Sequence, residues 1–393
     1  MRSILITILC LLLLSACKKD DKKDTIERTI LVYMAADNDL TTYTTPDIRE
    51  MMTGSQLLNK RQKLVLFVDK RGQKPYLLEV ARGDTTRLMT FKDELKSSDA
   101  STLQTVLSEV MNRYPSQSYG LVLWGHADGW IYKEQASQAS PSSRTDEDAS
   151  ACQPSRPQKA YGLDINGGYT WMNIPEMAEA LSTLPPLDFI FADCCAFQSV
   201  ETAYELRNVT DYIIASPAEI PGEGAPYETV VPAMFNKDPE YCRLVVDAYF
   251  AQTLNGMREP LSVIKTSAME PLAVATRQVL ASFIPQLENS HYPDVNGLVY
   301  YFDSSLFDMN DFILRYADTA EYEAWRKVFD EAVPYRVYAR RWIANHVTFS
   351  DFNINEERYG GVNMFVPQNI TRQNMNISKM QWYQAAGLDA LGW

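Results

Sequence analysis

The sequence predicts an α/β fold with a mostly parallel central sheet covered by helices on both faces, and three observations predict it. Short runs nearly continuous in apolar residues recur at Thr29–Ala36, Lys63–Val68, Tyr119–Trp124 and Leu187–Ala192. Unbroken rather than alternating hydrophobicity marks strands buried on both sides, as parallel strands are. Stretches with apolar residues three and four apart separate several of these runs, which is the alternation of a strand–helix fold. Finally, the runs end in clusters of polar residues: Asp37-Asn38-Asp39, Asp69, Gly125-His126 and Asp193-Cys194-Cys195. Open α/β sheets collect ligands at the carboxyl ends of their strands.

The chain begins with Arg2 and an almost unbroken apolar stretch, Ile4 to Leu14. It is too short for a permanent membrane span and reads as a cleaved signal. Leu14-Ser15-Ala16-Cys17 resembles the lipobox of bacterial lipoproteins, which implies a lipid on Cys17 and a mature chain starting there. An ordinary signal cut near Ala16 is the alternative. Residues 18–24 are all charged and serve as a solvated tether, so the expected division is signal 1–16 and tether 17–27.

The main α/β domain is expected over 28–265 and a C-terminal α+β subdomain over 266–393. After the first two strands, Tyr76–Val80 and Thr85–Phe91 form a hairpin about Arg82-Gly83-Asp84. Ser101 to Tyr114, with Leu103, Val106, Leu107, Val110 and Met111 on one face, is an amphipathic helix that Ser98 or Asp99 can cap. Residues 131–160 carry no periodicity and read as a long exposed loop. Helices follow at Asn173–Leu184 and Gln198–Arg207, with strands at Asp211–Ala215 and Leu261–Ile264. A helix opens at Tyr241 and another spans Met269–Leu287, before a last region that mixes aromatic-rich helices with short strands such as Leu298–Phe302.

A net charge of −13 argues against nucleic acid and mildly favours basic peptides as partners. Beyond Cys17 only Cys152, Cys194, Cys195 and Cys242 remain, and two are adjacent, a poor disulfide framework. The only histidines are His126, His291 and His346. Zinc-ligand spacings, a nucleophile elbow and phosphate-binding glycine loops are all lacking. A cysteine and a histidine remain, each just past a strand. Cys195 sits between a strand end and a helix N-terminus, which can favour a thiolate. His126 can deliver a proton to a leaving amine, and nearby backbone N–H groups can hold an oxyanion. Core packing of Cys195 and a structural His126 are the bland alternatives.

Three stretches carry a resemblance: Leu31–Leu40 (LVYMAADNDL), Leu121–Trp130 (LVLWGHADGW) and Phe191–Leu206 (FADCCAFQSVETAYEL). They are similar to the clostripain family of cysteine peptidases, relatives of caspases, legumains and gingipains, which implies a caspase-like fold. The resemblance covers about Thr29 to Phe235. It implies that Cys195 is the nucleophile, with Cys194 a buried neighbour, and that His126 is its acid–base partner. It implies oxyanion donation from the N–H groups of Ala127 and Cys195, although the family usually has glycine at the first position. Asp193 matches an aspartate at the base of the pocket that selects Arg or Lys; capping the following helix is its alternative role.

Self-cleavage in the loop after the histidine strand is implied for several relatives, and Lys133, Arg144, Arg156 and Lys159 are its candidates here. No cofactor is expected to be required and no metal ligand is assigned. Some relatives respond to calcium, which Asp37 and Asp39 could hold, but a turn-forming role is the preferred reading. The resulting expectation is a thiol endopeptidase of protein or peptide substrates, anchored by lipid in the cell envelope at the outer membrane, with possible exposure at the surface. The alternatives are a catalytically silent surface lipoprotein binding peptides or glycans through the same cleft, and a hydrolase of another amide.

Overall fold

The computed structural model describes residues 25–132, 161–166, 169–253, 258–283, 292–302, 306–344, 348–351, 355–368 and 376–393. The strands are β1 (Ile26–Ala36), β2 (Gln62–Lys70), β3 (Tyr76–Ala81), β4 (Asp84–Thr90), β5 (Ser116–Gly125), β6 (Tyr161–Asp164), β7 (Thr170–Met172), β8 (Leu187–Asp193), β9 (Thr210–Ala215) and β10 (Leu261–Lys265). Short strands follow: β11 (Tyr300–Phe302), β12 (Leu306–Asp308), β13 (Tyr335–Val337), β14 (Arg341–Ala344), β15 (Thr348–Asp351) and β16 (Asn363–Phe365). Among the described residues nine strands form one sheet in the order β13-β10-β9-β8-β5-β1-β2-β3-β4. Its centre, β2-β1-β5-β8-β9, is parallel throughout, and antiparallel strands close both edges.

The helices are α1 (Thr44–Ser55), α2 (Ala100–Arg113), α3 (Ile174–Ser182), α4 (Val200–Leu206), α5 (Tyr227–Met234), α6 (Tyr241–Phe250), α7 (Met269–Ala281), α8 (Met309–Tyr316), α9 (Thr319–Ala332) and α10 (Gln381–Ala385). Alternate residues of each central strand enter different cores. Leu31, Tyr33 and Ala35 of β1 pack with α2, α3, α4 and α7, whereas Ile30, Val32 and Met34 pack with α1, α5 and α6. Each large apolar side chain so buried contributes about 1.5–3 kcal/mol, and two such layers explain the unbroken apolar runs.

Local signals act where the residues predict them. Asp99 caps α2 by accepting the Ser101 N–H, and Leu103, Val106, Leu107, Val110 and Met111 are buried. Asn173 and Glu176 form a capping box at the start of α3. Helices α1 and α5 were not anticipated. The C-terminal part joins the main sheet through β13, which pairs with β10, and β16 bonds beside the segment that precedes α4. Residues 1–24 and 133–160 lie outside the described residues, and with them fall Cys17, Lys133, Arg144, Arg156 and Lys159. No helix among the described residues is long and apolar enough to cross a membrane.

Candidate active site

The site lies where the strand order changes direction. β1 is followed in the sheet by β2 on one side, and the chain then crosses to β5 on the other side. A crevice forms at the carboxyl ends of such neighbours. His126 follows β5 directly, and Asp193 closes β8, with Trp124 opposite Asp193 in the parallel register. Cys195 is two residues further on. Two adjacent strands therefore deliver His126 and Cys195 to the same edge of the sheet.

His126 is held from the neighbouring strand end. Its Nε2 lies 2.7 Å from Oδ1 of Asp39, whose side chain is 59% exposed. Asn38 keeps the turn that carries Asp39 in shape: its amide donates to the carbonyls of Ala35 (3.0 Å) and Leu163 (2.7 Å) and its oxygen accepts the Leu40 N–H (2.8 Å). Asp39 is thus engaged with the histidine. The His126 carbonyl accepts from Gly162 at 2.8 Å, and Tyr161 OH donates to the carbonyls of Tyr33 and Trp124, tying β1 to β5 just below the histidine.

Ala127 forms an isolated bridge with Tyr161 and is not among the residues with positive φ. A side chain is accommodated there without backbone strain, so the change from glycine leaves the N–H available. The strict demand for glycine sits at Gly129, where φ is +71° and an added Cβ would lie 2.8 Å from the Ala196 carbonyl. No acceptor among the described residues engages the N–H of Ala127 or of Cys195.

Cys195 is partly buried and free, and its Sγ meets the backbone of Ile220, accepting its N–H at 3.4 Å and facing its carbonyl at 3.8 Å. Burial pushes the thiol well up, the nearby carboxylates of Glu219, Asp128 and Glu259 push it further, and only the Ile220 N–H eases it. In this arrangement the thiol is held protonated under the segment that carries Ile220. Cys194 is fully enclosed, and its thiol is raised mainly by burial. Ala196 follows with φ +53°, a conformation few non-glycine residues adopt, pinned by its N–H to the Ala218 carbonyl at 2.8 Å.

Asp193 does not cap α4; Ser199 does, accepting the Thr202 N–H. The Asp193 carboxylate instead accepts from Tyr227 OH (2.7 Å), Ala225 N–H (3.1 Å) and Tyr249 OH (3.4 Å), and Gly224 approaches so closely that a Cβ would lie 2.7 Å from it. Burial pushes it up to about 6 against those hydrogen bonds. Two further carboxylates crowd the same region. Asp47 of α1 accepts from the Trp124 indole at 2.6 Å and is pushed up to about 8 by burial and then by Asp193. Glu259, just before β10, is buried with one oxygen unpartnered and is pushed up to about 8 by burial and Asp193. None of the three has an ion-pair partner among the described residues. Asp39, Asp47 and Glu259 were missed as site residues, since lone acidic residues in distant segments carry no local signal.

A model of the clostripain family, Peptidase C11, matches residues 32–333. The chain is similar to a secreted C11 cysteine protease from Bacteroides thetaiotaomicron solved with an irreversible peptide inhibitor: 28% identity, TM-score 0.75, 93% of this chain and 99% of that one. It is similar as well to an inactive zymogen C11 protease from Parabacteroides distasonis: 26% identity, TM-score 0.75, 92% and 98% of the two chains. A cysteine protease of B. fragilis shares 30% identity over 59% of this chain and 99% of its own, with a TM-score of 0.52. No curated protein matches the chain significantly. The expected family, and the parallel sheet clad in helices, are both met.

Proposed function

The chain belongs to the clostripain family of cysteine peptidases, and we propose that it is an endopeptidase cutting after arginine or lysine, with Cys195 as nucleophile and His126 as acid–base partner. Thiolate attack on the scissile carbonyl forms a carbon–sulfur bond, and the oxyanion is taken by the N–H groups of Ala127 and Cys195. His126 gives its proton to the leaving amine as the carbon–nitrogen bond breaks. Water, deprotonated by His126, then hydrolyses the thioester and restores the thiol. Asp39 orients the imidazole throughout.

One observation carries the specificity. Asp193, Asp47 and Glu259 gather beside the proposed nucleophile, and none has an ion-pair partner among the described residues. A guanidinium or ammonium entering there converts a costly set of buried carboxylates into a charge pair. Hydrolysis of fluorogenic peptides bearing Arg, Lys, Asp or Leu before the scissile bond tests this, with purified protein under reducing conditions. Cleavage after Arg and Lys is expected, abolished in Cys195→Ala. Asp193→Asn should lose about 100-fold or more in kcat/KM, as does one partner of a buried charge pair. Cleavage only after Asp or Leu would refute the pocket, and no cleavage by the wild type would favour a silent binder.

The raised thiol and its cover by the Ile220 segment suit a latent form, and one relative is described as an inactive zymogen. Self-cleavage at Lys133, Arg144, Arg156 or Lys159 is the activation step we propose. Intact masses from the same assays should show two chains for wild type and one for Cys195→Ala. Lipidation at Cys17 and residence in the cell envelope complete the proposal, supported by the Leu14-Ser15-Ala16-Cys17 sequence.

A further inference from the structure

Of the two carboxylates beside Asp193, Glu259 is placed to do more than add charge. It precedes β10, which runs antiparallel to β9 with Ser262 opposite Ala215, and Ala215 lies opposite Ala192 of β8. Glu259, three residues before Ser262, therefore stands past the carboxyl ends of β8 and β9, on the edge that carries Cys195. It is 5% exposed, and its Oε2 has no hydrogen-bond partner. After burial, Glu259 is among the charges that raise Tyr249 and Cys195, and Asp47 among those that raise Tyr227. Asp193 bonds to both tyrosines, so the two carboxylates flank it, with Glu259 on the side of the thiol.

Asp193 has little acceptor capacity left. Its Oδ2 takes both the Tyr227 hydroxyl (2.7 Å) and the Ala225 N–H (3.1 Å), and its Oδ1 takes the Tyr249 hydroxyl (3.4 Å). A carboxylate offers about four lone-pair positions, so roughly one remains. An ammonium is a compact point charge that one carboxylate and water can satisfy, whereas a guanidinium presents a planar fork of donors to two acceptors. The second acceptor has to come from another group, and the Glu259 oxygen is buried and idle. Such an oxygen is costly until a donor reaches it. We propose that Glu259 is a specificity residue: together with Asp193 it receives the guanidinium of a substrate arginine, and so distinguishes arginine from lysine, an assignment that rests on the basic specificity proposed above.

Two fluorogenic peptides differing only in Arg or Lys before the scissile bond give kcat/KM for wild type and Glu259→Gln. The variant should lose about 30-fold with the Arg peptide and about three-fold with the Lys peptide, because only the fork loses an acceptor. In parallel, wild-type and variant protein with Cys195 capped as its methyl disulfide are titrated by calorimetry with peptides ending in Arg or Lys. Preference for the Arg peptide should fall about ten-fold there too. If Glu259→Gln fails to fold, Glu259→Asp decides: with the charge drawn back by one methylene, the Arg preference should fall about three-fold. Equal losses for the two peptides, or an unchanged preference in a folded variant, would overturn the role of Glu259 and leave the peptidase reading intact. Binding that prefers Arg and depends on Glu259, without cleavage by the uncapped wild type, would sink the peptidase reading and keep Glu259. Neither binding nor cleavage of either peptide would overturn both.

Discussion

At the scale of single residues, the proposed chemistry depends on groups that neighbouring strands hand to one another. His126 has its orientation from Asp39, a residue 87 positions away in sequence and 2.7 Å away in space. Asp39 touches the imidazole, and in the proposed reaction it acts by positioning. Asp39→Asn should therefore lower kcat about five-fold, the kinetic equivalent of about 1 kcal/mol for one hydrogen bond, with KM little changed. Asp39→Glu should recover part of the loss. A matching rise in KM, or no rescue, would show that the contact only shapes the cleft. Cys195 and His126 could be picked out from the residues because the chain has so few alternatives. Glu259 could not, since its importance comes from burial and from Asp193.

At the scale of elements, the turn between β8 and α4 is the most constrained part of the site. Ala196 is in a left-handed conformation, and strained backbone of this kind persists only where neighbours over-determine it. Asn363 at the start of β16 is such a neighbour: its amide donates to the carbonyls of Pro217 (3.2 Å) and Ala196 (3.4 Å), and its N–H donates to Gln198 at 3.0 Å. Asn363→Ala leaves those two carbonyls without a donor inside the protein, and should cost about 2–3 kcal/mol of stability in a denaturant titration. Turnover should fall more than KM rises, because the turn carries the proposed nucleophile. Unchanged stability and turnover would mean that the turn holds itself. Helices α1 and α5 escaped prediction for identifiable reasons. The buried face of α1 consists of Thr44, Asp47, Met51, Gly54 and Ser55, which shows no apolar stripe, and α5 contains Pro232, which reads as a breaker.

At the scale of the whole molecule, the unusual feature is the amount of acid held inside. Asp193 is pushed up to about 6, Glu201 to about 7 and Asp47 and Glu259 to about 8, each chiefly by burial. In the unfolded chain these groups titrate near 4. Between about pH 4 and pH 8 the folded state therefore binds more protons than the unfolded one, and stability must fall as pH rises. The melting temperature of inactive Cys195→Ala protein, kept in chelator, should drop steadily from pH 5 to pH 8. A flat or rising profile would mean that these carboxylates are compensated. A bound basic peptide should flatten the profile, since it stabilises the charged forms.

The sequence by itself determined the sheet, because strands buried on both faces must be apolar without interruption, and that pattern is local. It also put Cys195 and His126 on one edge, since both follow strands that a parallel sheet points the same way. The tertiary structure alone decided the environment of those groups. Asp39 beside the histidine, Ile220 over the thiol, Asp47 and Glu259 near Asp193, and Asn363 under the turn all arise from segments far apart in the chain. Contacts of that kind depend on register and burial, and neither is written in the spacing of residues along one segment.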